Sequence, residues 1–202
     1  MTEIWNMLVK GGVVMIPLML TSVIALAVVI ERGLFLRRSR ILNPDLIQLI
    51  LNVQNPGELK GALDTLKHQD GSFINIVRVA LGHQHASAEI IRESIVDQGR
   101  RETRRLEQGL VVLETVAGIS PLLGLLGTVI GMVKVFTVIS ESGLGQTQLL
   151  SGGISEALIT TVVGLSIAIP TLIAYNYFNH KVEDLVLEIE QYSTQLINKL
   201  RQ

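Results

Sequence analysis

The chain has 202 residues, 17 Lys and Arg against 18 Asp and Glu, 48% hydrophobic residues, a mean hydropathy of +0.45 and no cysteine. Balanced charge gives no reason to expect a nucleic-acid partner, and the lack of thiols excludes a disulfide framework or a cysteine-bound metal. The apolar residues are concentrated: Gly11–Ile30, Thr115–Val133 and Ala157–Asn179 contain no charged side chain.

In chain order, residues 1–10 form a short leading segment and 11–31 the first predicted transmembrane helix. An α-helix rises ~1.5 Å per residue, so ~20 residues cross a ~30 Å hydrocarbon layer. This block is too long for the core of a cleavable signal, and its basic cluster follows it instead of leading. Residues 32–110 are strongly polar and read as a helical loop. Asn43-Pro44-Asp45 starts a helix ahead of Leu46–Leu51, with Pro at the first helical position. Asn55-Pro56-Gly57 breaks it and begins another through Leu59, Leu63 and Leu66; Gly71-Ser72 breaks again before Phe73. Ser87 is an N-cap candidate with Glu89 in the first turn. No Pro follows until Pro121, which predicts one helix running from the loop into the second transmembrane helix, 111–140. A short loop, 141–151, precedes the third, 152–179, and a helical tail, 180–202, continues it.

Arginines set the orientation. Arg32, Arg37, Arg38 and Arg40 follow the first span, and Arg100, Arg101, Arg104 and Arg105 precede the second, whereas Ser140–Gly153 has no Lys or Arg. The positive-inside rule places the long loop and the tail in the cytoplasm and the N-terminus and short loop in the periplasm. A soluble bundle with three buried helices is excluded, because the remaining polar sequence could not jacket a core that is apolar all round.

Small residues mark packing faces in lipid, where hydrophobic burial does not drive helix association. Gly124, Gly127 and Gly131 on the second span and Gly164 and Ala168 on the third have that spacing, and contacts within one subunit explain them as well as oligomerisation does. Polar groups inside a membrane are costly and mark pathways. Thr128 lies ~18 Å from a second-span end at Ser140, and Thr161 ~14 Å from a third-span start at Gly152. The two spans run antiparallel, so these hydroxyls sit at similar depth, where they line a lumen or hydrogen-bond back to their own helices. Glu156 stands ~6 Å from the same start and shares a face with Thr160, while Thr161 is turned away. Lys134, at a depth similar to Glu156, could pair with it; snorkelling to the periplasmic mouth is the preferred reading.

The strings Ser120–Met132 (SPLLGLLGTVIGM) and Gly153–Asn176 (GISEALITTVVGLSIAIPTLIAYN) resemble the MotA/TolQ/ExbB proton-channel family, most of all its ExbB and TolQ branches. With the three-span layout, long loop and helical tail, the resemblance covers most of the chain. It implies an all-α homopentamer in the bacterial inner membrane whose second and third spans line a central lumen. Two single-span helices of an ExbD- or TolR-like partner would occupy that lumen. The partner's aspartate would carry the proton, surrounded by Thr128, Thr161 and Glu156, with Thr160 an added hydroxyl where alanine is common. None of the spans here contains Asp. Gly152 replaces a usual Pro, and Lys134 a residue more often neutral or weakly basic.

An ExbB-like role, energising a TonB-like protein, is preferred; a TolQ-like role in envelope integrity and a membrane anchor without an ion path are the alternatives. Membrane lipid is the surrounding partner. Enzyme activity is not expected, because His68, His83, His85 and His180 lack metal-site spacing. No cofactor is expected either, since the glycine-rich string lies inside a span instead of forming a phosphate loop.

Overall fold

The computed structural model describes residues 11–52, 61, 71–83, 86–143 and 147–200. Residues 1–10, the break at Asn55-Pro56-Gly57 and the helix through Leu59, Leu63 and Leu66 lie outside them. Seven helices are described: α1 Met15–Phe35, α2 Arg38–Ile41, α3 Pro44–Asn52, α4 Ser72–Gly82, α5 Ala88–Glu107, α6 Leu110–Ser142 and α7 Thr147–Leu200. They form two compact units, the first of Met1–Glu31 with Gly109–Asn176 and the second of Arg32–Gln108 with Tyr177–Gln202.

The first unit holds the apolar parts of α1, α6 and α7. All three helices are long and apolar enough to cross a membrane, and only 22–28% of their most apolar windows is buried within the chain. Leu122, Val129, Phe136, Leu158, Val162 and Ile173 are all exposed. So much outward apolar surface is compatible with lipid or with other protein, and not with water. The chain is therefore a multi-pass membrane protein. Val14, Met15 and Leu18 of the α1 end pack against Leu123, Val163 and Ile167, which ties all three helices together.

One expectation is corrected here. The helix predicted to run from Ser87 into the second span is broken: α5 ends at Glu107, Gly109 adopts φ +84°, and α6 begins at Leu110. A left-handed φ costs Gly nothing and any L residue about 1 kcal/mol or more, so this one glycine accounts for the break. The loop between α6 and α7 is also shorter than predicted, because Glu141, Ser142 and residues from Thr147 onward are helical. From Thr147, α7 continues to Leu200 with Pro170 inside it.

The second unit builds its core from α2 to α5 and the later part of α7. The Asn43 side chain caps α3 by accepting from the amides of Asp45 (2.9 Å) and Leu46 (3.4 Å), and Ser87 caps α5 by accepting from Ile90. Helix α4 packs on α5, with Phe73, Ile76 and Val77 fully buried. Between them Glu102 is buried, and its Oε1 accepts from Asn75 Nδ2 and Gln98 Nε2, both at 2.9 Å. Arg32, read from sequence as an orientation charge, is also buried. Its Nη1 reaches the carbonyls of Arg105 and Leu106 at the α5 C-terminus, where a cation complements the helix dipole. Arg38 forks onto Glu188, with Nη2–Oε2 at 2.5 Å. The hydrogen bond and then the charge of Glu188 raise the Arg38 pKa above its ordinary value.

Candidate functional site

The site lies along the seam between α6 and α7 in the first unit. Every third or fourth residue of α6 turns inward there: Val116, Ser120, Gly124, Gly127, Gly131 and Val135 are buried. The glycines allow backbone to meet backbone. A Cβ on Gly124 would stand 2.9 Å from the Thr160 carbonyl and 3.1 Å from the Thr161 Cα. One on Gly131 would be 2.8 Å from the Gly153 carbonyl, and one on Gly164 2.6 Å from the Ser120 carbonyl. The small-residue faces thus meet inside one subunit, with Ala168 buried on the same stripe of α7.

This register decides where each polar group goes. Thr160 is 0% exposed and fills the space opposite Gly127, where an added Cβ would overlap its hydroxyl. Its Oγ1 donates to the carbonyls of Glu156 (3.2 Å) and Ala157 (2.8 Å) on its own helix. Thr160 therefore presents no hydroxyl outside the subunit, contrary to its expected place on a lumen wall. Thr128 is half-buried, with its Oγ1 donating to the Leu125 carbonyl at 2.6 Å. Thr161 behaves differently, since its Oγ1 donates across the seam to the Gly124 carbonyl at 3.3 Å. Ser120, Thr115, Thr137 and Thr171 all bond back to their own helices, so among the described hydroxyl bonds of this unit Thr161's is the one that crosses. Thr128 lies fourteen residues before the end of α6, and Thr161 fourteen after the start of α7. At ~1.5 Å per residue both sit ~21 Å in.

Glu156 faces elsewhere, as the helical rotation requires. Lys134 Nζ donates to Glu156 Oε1 at 2.5 Å, with the two side chains 51% and 17% exposed. The preferred snorkelling of Lys134 is replaced by this ion pair: Glu156 adjoins Ala157, which meets Gly131 across the seam, and Lys134 lies one turn beyond Gly131, within side-chain reach of the carboxylate. Sequence reading missed Gly12. It adopts φ +67°, and a Cβ there would overlap Glu156 Oε1, so the turn before α1 lies directly over the carboxylate. The signal available was the Gly11-Gly12 pair ahead of an apolar run, which alone marks only a turn.

Gly152, where a Pro was the expected comparison, lies inside α7 and has open space beside it. Among the described residues, no group of three or more His, Cys, Asp or Glu could hold a metal ion.

The seam supplies two hydroxyls at one depth, one of them joining two helices, and a charge pair nearer the helix ends. Such a set can exchange hydrogen bonds with a carboxylate or water; it has no nucleophile paired with a base.

Residues 67–191 match the family model described as the MotA/TolQ/ExbB proton channel family. The chain is 37% identical over 171 residues to a Synechocystis protein named biopolymer transport protein ExbB-like 1, covering 82% of this chain and 66% of that protein. It is 36% identical over 179 residues to ExbB-like 3 of the same organism, covering 83% and 81%. It is also 43% identical over 82 residues to the Tol-Pal system protein TolQ of Haemophilus influenzae, covering 41% and 36%.

Proposed function

Because the chain belongs to the MotA/TolQ/ExbB proton channel family, we propose that it is the ExbB-like scaffold of a proton-driven motor in the inner membrane. With an ExbD-like single-span partner it converts proton motive force into work for a TonB-like protein and outer-membrane transport. In this reading five copies surround two partner helices, the N-terminus is periplasmic, and residues 32–108 and the α7 tail are cytoplasmic.

The observation that carries the reading is the Thr161–Gly124 bond at the depth of Thr128. An O–H···O bond is usually ~2.7–2.8 Å, so at 3.3 Å the Thr161 hydroxyl is loosely held and can turn to a better acceptor. A charged partner carboxylate is such an acceptor, since charge-assisted bonds are about twice as strong as neutral ones. When a proton neutralises that carboxylate, the preference fades and the partner helix is free to step. Each proton moving down ~100 mV releases about 2.3 kcal/mol, enough to drive a step of this size. Two helices inside five subunits cannot match symmetry, which favours rotation. The Glu156–Lys134 pair then sits at the periplasmic mouth as a fixed pair of charges.

A TolQ-like role is the second reading, favoured by the 43% identity over 82 residues to the Haemophilus influenzae protein named TolQ. Co-purification with a single-span, Asp-bearing protein, native mass of the assembly, and energy-dependent uptake in Thr161→Val and Glu156→Ala chains test the proposal. The expected result is a pentamer with the partner bound, normal assembly of both variants, and loss of function. A monomer without such a partner, or full function in both variants, would overturn it.

A further inference from the structure

In the second unit an open cleft of about 700 Å³ lies between α5 and the later part of α7. Its floor is apolar, with Ile76, Ile95 and Ile189 buried. Beneath it Ser193 is 6% exposed, and its Oγ has no hydrogen-bond partner. Its rim is cationic: Arg92, Arg100 and Arg104 line one side, spaced to share a face of α5, with Val96 exposed between them. Twelve residues of helix make this rail ~18 Å long. An apolar floor beneath a rail of guanidinium groups fits an amphipathic helix with acidic flanks.

The same chain carries such a helix face. On α7, Leu187 is 62% exposed, with Asp184 and Glu183, which also accepts from Asn179 Nδ2 at 2.8 Å, one turn before it and Gln191 one turn after. The positions of α7 that line the cleft are Val186, Ile189, Glu190, Ser193, Thr194 and Ile197, so one carboxylate faces the arginine rail from within the chain. At ~100° per residue, Leu187 stands roughly 90° and Asp184 and Gln191 roughly 130–150° from the middle of that set. One copy therefore offers the acidic knob on one side and the basic cleft on another. An interface of two different surfaces is heterologous, and such contacts form a ring where the rotation between copies closes.

We propose that the Leu187 face of α7 seats in the α5–α7 cleft of a neighbouring copy, with Glu183 and Asp184 against Arg100 and Arg104. The inference rests on the oligomeric reading above and assigns the surface that joins its subunits. It adds a polar seal outside the membrane to the packing of the spans.

The absence of cysteine gives a clean test. One chain carrying Val96→Cys and another carrying Leu187→Cys are co-expressed in membranes and oxidised. A disulfide-linked dimer of the two chains is expected, and neither variant expressed alone should give one. In parallel, the reversals Arg100→Glu/Arg104→Glu and Glu183→Arg/Asp184→Arg should each lower the fraction of native ring by tenfold or more in 0.15 M salt. Their combination in one chain should restore it. A wild-type ring whose cysteine pair never cross-links, or whose reversals are silent singly and together, overturns this interface while leaving the oligomer intact. A wild-type chain that is monomeric overturns the oligomeric reading itself. Cross-linking of Val96→Cys to a different protein overturns the choice of a second copy as occupant.

Discussion

Replacing Gly164 with Ala tests the seam most directly. The new Cβ would stand 2.6 Å from the Ser120 carbonyl and 3.1 Å from the Gly124 Cα, both backbone atoms of α6. Neither can rotate away, so α6 and α7 must separate by about 0.8 Å to reach an ordinary 3.4 Å contact. A gap of that size forfeits a quarter to a half of the dispersion energy along the contact. It also stretches the Thr161–Gly124 bond, already 3.3 Å, beyond hydrogen-bonding range. Overpacking of this kind costs about 1–3 kcal/mol, and the lost interhelical bond about 0.6 kcal/mol. Offset by up to about 1 kcal/mol from the better helix propensity of Ala, the net loss is about 2 kcal/mol. For a chain of this length that lowers the melting temperature by about 4–8 °C. Gly118→Ala is the internal control, because nothing lies within 4 Å of its Cβ position; it should melt at or above the wild type. Melting of purified protein in one detergent compares the two, and a Gly164→Ala protein as stable as Gly118→Ala would refute the seam.

Three further outcomes follow from the same geometry. Thr160→Val should keep proton-driven function and change stability by less than about 0.5 kcal/mol, because its hydroxyl serves only its own helix; Thr161→Val should lose function, and equal loss in both would remove the distinction between them. Lys134→Met and Glu156→Gln should be non-additive, with a coupling of about 1 kcal/mol in a double-mutant melting cycle; additivity would mean the ion pair is not formed. In the second unit, Asn75→Ala should cost about 1.5–3 kcal/mol by removing a donor to the Glu102 carboxylate. Glu102→Gln keeps both bonds to Oε1 and removes the buried charge, so its melting point should fall less than that of Asn75→Ala.

What the sequence made legible was what depends on one helix at a time. Charge-free windows of about twenty residues located the three spans, and Asn43-Pro44 and Ser87 located two caps, because their partners are the next residues along the chain. Facing arguments also held within a helix: Glu156 and Thr161 do point different ways. What depends on two helices was only half visible. Small residues at helical spacing showed that Gly124, Gly127 and Gly131 pack, yet Thr160 as their occupant needs the α6–α7 register. The same register turns Lys134 toward Glu156, and no single-helix rule contains it. Gly109 breaks a helix whose flanking residues favour continuation, and one glycine in a helical pattern does not announce φ +84°. Pairs such as Arg38 with Glu188, 150 residues apart, leave no local trace.

The seam also limits how the proposed motor can move. Its closest approaches, Gly124 to the Thr160 carbonyl and Gly164 to the Ser120 carbonyl, are between backbone atoms. Sliding α6 past α7 by even one residue would drive side chains into those gaps, at an overpacking cost of about 1–3 kcal/mol per site. That is comparable to the roughly 2.3 kcal/mol available from one proton at 100 mV. A mechanism that sheared the two helices would therefore spend its whole driving energy inside the subunit. Thr161 turning from the Gly124 carbonyl to a partner's carboxylate requires only a side-chain rotation. In the proposed motor the step consequently belongs between the scaffold and its partner, with α6 and α7 moving as one body.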